Sequence, residues 1–168
     1  TEEFADEFDA RLSALVRKVR GVYSGKLIIS GTQAEYRFPG LADLVGTTTF
    51  DTCHPELPYD ASVDDWRTAY DDLFAERIDP LYEHWDKPVF FYTVHLPPHP
   101  DDPDPTGEAL QANRLEAIFQ AFLVRPWVAG SLSWAYTMID APLHNDEGLR
   151  SRLAEAVLAK YYGAFAGR

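Results

Sequence analysis

The sequence predicts an α/β protein in which helices cover a parallel sheet of four strands. Four short runs of β-branched and aromatic residues alternate with longer segments whose apolar residues recur at helical spacing. One run, at positions 89–91, leads into a proline-rich loop and is typical of a strand buried on both faces. Strands that alternate with helices imply right-handed crossovers and therefore a parallel sheet. Four such strands form either a small open sheet or half of an eight-stranded barrel.

The first half of the chain predicts one helix followed by two strands. Residues 1–20 place apolar side chains on one helical stripe, with acidic residues early and basic residues late, as the helix dipole favours. Residues 26–30 and 44–50 are short runs that read as strands and end at turn-forming or polar residues. The segment between them predicts only a short helix or an irregular connection.

The second half of the chain predicts helices that alternate with two more strands. Ser62 and Asp65 have the spacing of a capping box and begin a long helix, which Pro80 bends or splits near Asp79. The helix that follows the third strand ends at Pro126. The remaining predicted elements are a strand at 87–95, a strand at 128–136 and a last helix over 149–165. Three tryptophans are predicted to fill the core: Trp66, Trp85 and Trp127.

The composition limits the classes of protein to which the chain can belong. With 168 residues, of which 46% are hydrophobic, positions 1–168 suit a single folded domain. The formal net charge of -12 repels phosphate backbones and anionic lipid, so neither nucleic acid nor a membrane is expected as a partner. No long apolar run or signal segment is present, so we expect a soluble chain of unassigned compartment. Its start at Thr1 indicates a processed protein or a piece of a longer one.

Candidate catalytic residues lie at strand ends, because parallel α/β folds bind ligands at the carboxyl ends of their strands. Tyr92, Thr93 and His95 end the third predicted strand, and a histidine there could contact a sugar or act as a base. Asp51 lies just beyond the second strand and is the first choice for a catalytic carboxylate. The simpler alternative is that Asp51 is a solvated or loop-capping residue without a catalytic role.

Two aromatic residues at the end of the fourth predicted strand are candidate sugar contacts. Trp134 and Tyr136 are two positions apart, so their side chains point to the same face of a strand. An aromatic face is a common contact for a sugar ring, and filling of the core is the alternative role.

The sequence predicts neither a metal site nor a cofactor. Cys53 is the only cysteine, which excludes an intrachain disulfide and a thiolate metal cluster. The prolines between His95 and His99 exclude a helical histidine pair, and the acidic run at 101–104 lacks the spacing of a calcium loop. A glycine-rich phosphate loop and a Gly-x-Ser-x-Gly elbow are also absent from the sequence.

A series of short motifs occurs in a fixed order along the chain. They are Lys87-Pro88-Val89-Phe90-Phe91, Gln111-Ala112-Asn113, Pro126-Trp127-Val128-Ala129-Gly130 and Trp134. In this order they resemble the closing half of clan A glycoside hydrolase barrels, especially the endo-β-1,4-mannanase-like and cellulase-like members. The resemblance implies the C-terminal half of a (β/α)8 TIM barrel, with four parallel strands that correspond to strands five to eight and with helices around them.

The resemblance also implies that the residues of the usual reaction are missing. In that family a glutamate nucleophile ends the strand that corresponds to residues 87–95, and Thr93 stands at its position. A hydroxyl without an activating base cannot replace that carboxylate, and the family's acid/base glutamate aligns before Thr1. Gln33 and Phe50 stand where the family has an aromatic residue and a tyrosine. Together the predicted substrate contacts are Gln33, Phe50, Tyr92, Trp134 and Tyr136.

The expected function is that of a glycoside-hydrolase-like domain that binds or processes a β-linked polysaccharide or oligosaccharide. Standard retaining hydrolysis is not expected of the chain alone. One alternative is a non-catalytic domain for assembly or sugar recognition, and another is an enzyme of changed chemistry that uses Asp51 or His95. The expected partners are a carbohydrate ligand and the other half of the barrel, which comes from another half-barrel chain, from a second copy of this chain or from an upstream segment of the same chain.

Overall fold

The described strands form one parallel sheet in the order β1-β2-β3-β4. The computed structural model describes residues 2–30, 40, 42–48, 55–94, 107–133 and 149–166. Within these ranges the elements are α1 (Glu2–Arg20), β1 (Ile28–Ser30), β2 (Leu44–Thr48), α2 (Val63–Arg77), α3 (Asp79–Trp85), β3 (Val89–Val94), α4 (Glu108–Leu123), β4 (Val128–Ser133) and α5 (Leu153–Ala166). The predicted α/β fold with four parallel strands is therefore confirmed.

Two strands begin later than the sequence predicts. β1 begins at Ile28 rather than at position 26, and the Leu27 amide donates to the Asp43 carboxylate instead of joining the sheet. β3 begins at Val89, two residues after the predicted start, although the Pro88 carbonyl already accepts a hydrogen bond from the Val45 amide. The predicted strand ends at 50, 95 and 136 lie outside the described residues.

The predicted long helix is divided in two, as Pro80 indicates. Ser62 caps α2: its hydroxyl oxygen accepts a hydrogen bond from the Asp65 amide at 3.1 Å. The Asp65 carboxylate in turn accepts a hydrogen bond from the Ser62 amide at 3.0 Å. This is the predicted capping box. The junction between α2 and α3 falls at Ile78, which is fully buried, and Pro80 lies in the first turn of α3. A proline is tolerated there because the first helical amides have no partner within the helix.

The core lies between one face of the sheet and the helices α2, α4 and α5. Phe74 of α2 is at its centre and packs its ring against Phe91 of β3, Phe122 of α4 and Trp127 at the start of β4, with ring centroids 5.5–6.0 Å apart. Trp66 and Trp127 are buried, as predicted, whereas Trp85 is half-buried at the edge of this cluster. No helix within the described ranges is long and apolar enough to cross a membrane.

Among the described residues, no helix covers the opposite face of the sheet, and the half-buried side chains there correct the prediction that the third strand is buried on both faces. Phe90 and Tyr92 of β3 are only half-buried, whereas Val89 and Phe91 are fully buried against the helices. The difference arises because α2, α4 and α5 all pack on one side. We call the other side the open face; its residues are Ile28, Ser30, Gly46, Phe90, Tyr92, Gly130 and Leu132.

Gly46 allows close packing on the open face. A Cβ atom at this position would lie 2.9 Å from Ser30 Cβ, 2.9 Å from Ile28 Cγ2 and 3.3 Å from Tyr92 Cδ1. Contacts below 3.0 Å to another Cβ cannot be relieved by rotation of a side chain, so a larger residue would push β1 away from β2. The glycine therefore lets the side chains of β1 and the ring of Tyr92 meet across β2.

A charged cluster fastens the end of α1 to the amino-terminal edge of the sheet. Arg20 pairs with Asp43 and also donates to the Gly25 carbonyl at 2.7 Å. The Leu27 amide donates to the same Asp43 carboxylate at 2.7 Å. These two donors, with the Leu27 hydrogen bond as the larger effect, hold the pKa of Asp43 below its usual range.

A second polar cluster joins α2 and α3 to the turn before β4, also at the amino-terminal edge. Arg125 donates to Asp71 at 2.5 Å, and its guanidinium lies 4.9 Å from the centre of the Phe74 ring. The Trp127 indole N–H donates to Asp79 at 2.7 Å. Both contacts join segments that are far apart in the chain, so they fix the helices over the start of β4.

Glu116 links α4 to α5. Its Oε1 atom accepts hydrogen bonds from Lys160 at 2.6 Å, from Tyr161 at 2.5 Å and from Gln120 at 2.9 Å. Partial burial raises the pKa of the Glu116 carboxyl, but the three donors outweigh this effect and hold that pKa below its usual range. The hydrogen bond to Glu116 raises the pKa of Lys160, and burial followed by the same contact raises the pKa of Tyr161.

Candidate functional site at the carboxyl edge of the sheet

The carboxyl ends of the strands meet along one edge because all four strands are parallel. In the described residues this edge is formed by Ser30 of β1, Thr48 of β2, Thr93 of β3 and Ser133 of β4. Thr48 is the register partner of Thr93, and Val94 is the partner of Ser133. Adjacent strands in a sheet lie about 4.8 Å apart, so these positions form a continuous rim. This is the edge at which parallel α/β barrels place their active sites.

Tyr92 lies at a bulge of β3 near the carboxyl edge; another described irregularity, at Ala129 of β4, lies near the start of that ladder. The neighbouring residues Thr47 and Thr48 of β2 pair with Phe91 and Thr93, so Tyr92 is the extra residue of β3 in this ladder. In the ladder with β4, Tyr92 and Thr93 together lie opposite the single residue Leu132. Both ladders therefore contain one extra residue of β3 at this point. Bulges of this kind are found at barrel rims and beside active sites, where they redirect a side chain.

The Tyr92 side chain lies on the open face close to the rim. It is half-buried, and its Cδ1 atom is next to the space that a side chain at Gly46 would occupy. An aromatic ring at the mouth of a sheet gives an apolar surface for a sugar ring, and the phenol group adds a hydrogen-bonding group. The prediction from the strand end thus identified a residue with a suitable position, although its sugar contact stays a prediction.

Tyr162 of α5 binds the end of β4 and was not identified from the sequence. Its hydroxyl accepts a hydrogen bond from the Ser133 amide at 3.2 Å and lies 3.0 Å from the Ser133 hydroxyl. The contact holds the rim at β4 against the last helix. Tyr162 could have been recognised only if the position of the last helix over β4 had been known.

Two buried polar residues near the start of α4 also lie on the side of the rim, because α4 follows the carboxyl end of β3. Gln111 is 1% exposed and Arg114 is 2% exposed, and the Arg114 guanidinium lies 5.0 Å over the Trp66 ring. The Gln-Ala motif of the sequence contains Gln111. The burial of Arg114 could not be predicted from the sequence, because charged residues are seldom fully buried unless they are paired.

Most of the predicted site residues lie outside the described part of the chain, so their roles stay predictions. These residues are Gln33, Phe50, Asp51, His95, Trp134 and Tyr136. For Thr93 the structure describes the backbone position in β3 but not the side chain. Among the described residues, no group of histidine, cysteine, aspartate and glutamate side chains is arranged to hold a metal ion.

Four parallel strands with helices on one side are half of a TIM-barrel fold, and comparison with solved structures supports this class. The GH113 β-mannanase of Alicyclobacillus acidocaldarius, in complex with ManMIm, matches 96% of this chain and 52% of its own, with a TM-score of 0.67 and 22% identity. A second GH113 β-1,4-mannanase matches 95% of this chain and 52% of its own, with a TM-score of 0.66 and 21% identity. A β-D-glucuronidase from Dictyoglomus thermophilum has a TM-score of 0.61 and 14% identity over 94% of this chain and 29% of its own.

These similarities confirm the predicted likeness to glycoside hydrolase barrels at the level of the fold. This chain spans about half the length of the mannanases that it matches, as expected for half of a barrel. No protein-family model matches the sequence, and no curated protein matches it.

Proposed function

We propose that the chain is the carbohydrate-binding half of a glycoside-hydrolase-type barrel and takes a β-linked polysaccharide or oligosaccharide at the carboxyl edge of its sheet. The bulge at Tyr92 is the observation that carries this proposal. It lies at the rim where barrel enzymes bind their substrates, beside an aromatic residue on the open face. The similarity to mannanase folds supports β-1,4-linked mannan as the first substrate to test.

Sugar binding can be measured by isothermal titration of the chain with β-1,4-manno-oligosaccharides. Cello-oligosaccharides test the choice of sugar, and α-linked malto-oligosaccharides test the linkage. Tyr92→Ala should abolish binding, whereas Tyr23→Ala should leave it unchanged because Tyr23 lies at the opposite edge and is exposed. Equal binding of α-linked and β-linked sugars, or full binding by Tyr92→Ala, would contradict the proposal.

The chain alone is proposed to lack standard retaining hydrolysis. A retaining enzyme needs two carboxylates about 5 Å apart, and Thr93 offers a hydroxyl at the position that the resemblance gives to the nucleophile. We expect no release of the aryl group from aryl β-mannosides and no cleavage of mannan. Thr93→Glu restores one carboxylate only, so this variant should also remain inactive unless the other half of the barrel is supplied.

The second candidate function is a non-catalytic domain for assembly or sugar recognition that stays inactive even when the other half of the barrel is supplied, and Thr93 favours it. A third candidate is an enzyme of changed chemistry that uses Asp51 or His95. An assay of mannan hydrolysis by the unmodified chain separates these functions, with Asp51→Ala and His95→Ala as variants. Activity that either variant abolishes would support changed chemistry, and a protein that binds oligosaccharide without cleaving it would support recognition.

Completion of the barrel is part of the same proposal. The partner is either another half-barrel chain or a second copy of this chain, because the active-site mouth of a barrel is built from the ends of eight strands.

A further inference from the structure

The chain exposes large apolar side chains on α1 and on the open face of the sheet. On α1, Phe8 is 49% exposed and Leu15 is 55% exposed, and they lie two turns apart on one stripe of the helix. On the sheet, Ile28 in β1 is 43% exposed and Leu132 in β4 is 56% exposed. Exposed apolar side chains along one helix and one sheet face indicate a surface that another part of a protein covers.

The two outer strands carry free hydrogen-bonding edges within the described sheet. β1 pairs only with β2, and β4 pairs only with β3. Parallel sheets occur almost only where both faces are covered, and an unpaired edge is a template for another strand. The exposed residues Ile28 and Leu132 lie in these two edge strands, so one partner could cover the face and both edges together.

A second copy of the chain fits this surface poorly. In a (β/α)8 barrel, each helix occupies the groove between the strand before it and the strand after it. Helix α5 already covers the end of β4, where Tyr162 binds Ser133, and α1 precedes β1. Two copies would direct α5 of one copy and α1 of the other into the same groove. They would also bring together two chains that each carry a formal charge of -12.

We propose that the open face binds a parallel β-α unit of four strands and three connecting helices. Its first strand pairs with β4 beneath α5, and its last strand pairs with β1 beneath the stripe of Phe8 and Leu15. The complex has the eight parallel strands of a closed barrel, and the grooves at its two junctions each receive one helix, α5 at β4 and α1 at β1. This inference rests on barrel completion in the proposed function and does not depend on sugar binding.

The test uses the full chain and the part of the A. acidocaldarius mannanase that lies outside its match to this chain, produced separately. Light scattering after gel filtration gives the stoichiometry, and hydrogen exchange gives the amides that become protected. We expect the chain alone to be a monomer, and the mixture to form a complex of one copy each in which the amides of α1, β1 and β4 exchange more slowly.

Leu15→Glu and Ile28→Glu should weaken the complex about tenfold or more, since each places a charge in an apolar contact. Val124→Glu is the matched control, because Val124 is 73% exposed at the end of α4, away from the open face. Circular dichroism checks that each variant is folded. A dimer of the chain alone that Leu15→Glu dissociates would identify a second copy as the occupant and overturn the inference. Absence of a complex, or a complex that neither variant weakens, would also overturn the inference. Sugar binding is measured separately by titration of the chain alone, so failure of one proposal can be distinguished from failure of the other.

Discussion

Replacement of Phe74 by leucine should destabilise the chain more than any exposed apolar substitution. Phe74 is fully buried, and its ring packs against Tyr70, Phe91, Phe122 and Trp127. Leucine has about three carbon atoms fewer, and each buried carbon contributes about 0.8 kcal/mol, so the free energy of unfolding should fall by about 2 kcal/mol. That is a large part of the 5–15 kcal/mol typical of a folded domain.

Urea unfolding followed by tryptophan fluorescence measures this loss, because Trp66 and Trp127 belong to the same buried cluster. Phe8→Leu is the control, since Phe8 is half-exposed on α1 and should lose less than about 0.5 kcal/mol. Equal losses for Phe74→Leu and Phe8→Leu would refute the assignment of the core to the helix-covered face.

A double-mutant cycle separates the charge contact of Phe74 from its packing. The Arg125 guanidinium lies 4.9 Å from the ring centre and also binds Asp71. Phe74→Leu and Arg125→Gln should therefore be coupled by about 0.5–1 kcal/mol. Arg67 binds Asp71 as well but, within the described part of the chain, does not contact the ring, so the cycle with Arg67→Gln should show no coupling. Equal coupling in the two cycles would mean that Asp71, rather than the ring, transmits the effect.

Three further changes test other parts of the fold. Gly46→Ala places a Cβ 2.9 Å from Ser30 Cβ, so it should lower the melting temperature and weaken sugar binding beside Tyr92. An unchanged melting temperature and unchanged sugar affinity would contradict the close packing at Gly46. Glu116→Gln removes a carboxylate whose pKa is lowered in the folded protein. The stability that wild-type Glu116 adds is therefore fully present above its ordinary pKa of 4.5, and it is lost as the pH falls through the pKa of the folded state. Urea melts above and below that pH should differ more for the wild type than for the variant. Ser62→Ala removes the cap of α2 and should cost about 1 kcal/mol in the same melts, whereas Thr68→Ala within the helix should cost less.

Local sequence signals predicted the elements well because each signal acts within a few residues. The spacing of Ser62 and Asp65 gave the start of α2, and Pro80 gave its division from α3. The alternation of short and long apolar segments gave the parallel sheet. These features follow from backbone hydrogen bonding and proline geometry, which do not depend on the rest of the fold.

The bulge at Tyr92 and the open face could not be predicted in the same way. A bulge is defined by the register of β3 against both β2 and β4, and register is a property of strands that are far apart in the sequence. The continuous apolar run of β3 predicted burial on both faces, yet the described helices cover only one. The same run is consistent with full burial once a partner covers Phe90 and Tyr92. For the candidate site, the strand-end rule located Tyr92 and Thr93, and the roles of Asp51, His95 and Trp134 stay predictions.

Among the described residues, several polar contacts lie at the edge opposite the candidate site. Asp43 binds Arg20 and the Leu27 amide where β1 and β2 begin, and the Trp127 indole binds Asp79 where β4 begins. The rim at the other edge carries the hydroxyl residues and the bulge, where regular sheet pairing is interrupted. These contacts at the amino-terminal edge do not involve Tyr92 or Thr93 of the rim. Substitutions at the rim such as Tyr92→Ala and Thr93→Glu should for this reason alter binding while the urea melt stays within about 1 kcal/mol of the wild type, and a larger loss would show that the rim is also needed for folding.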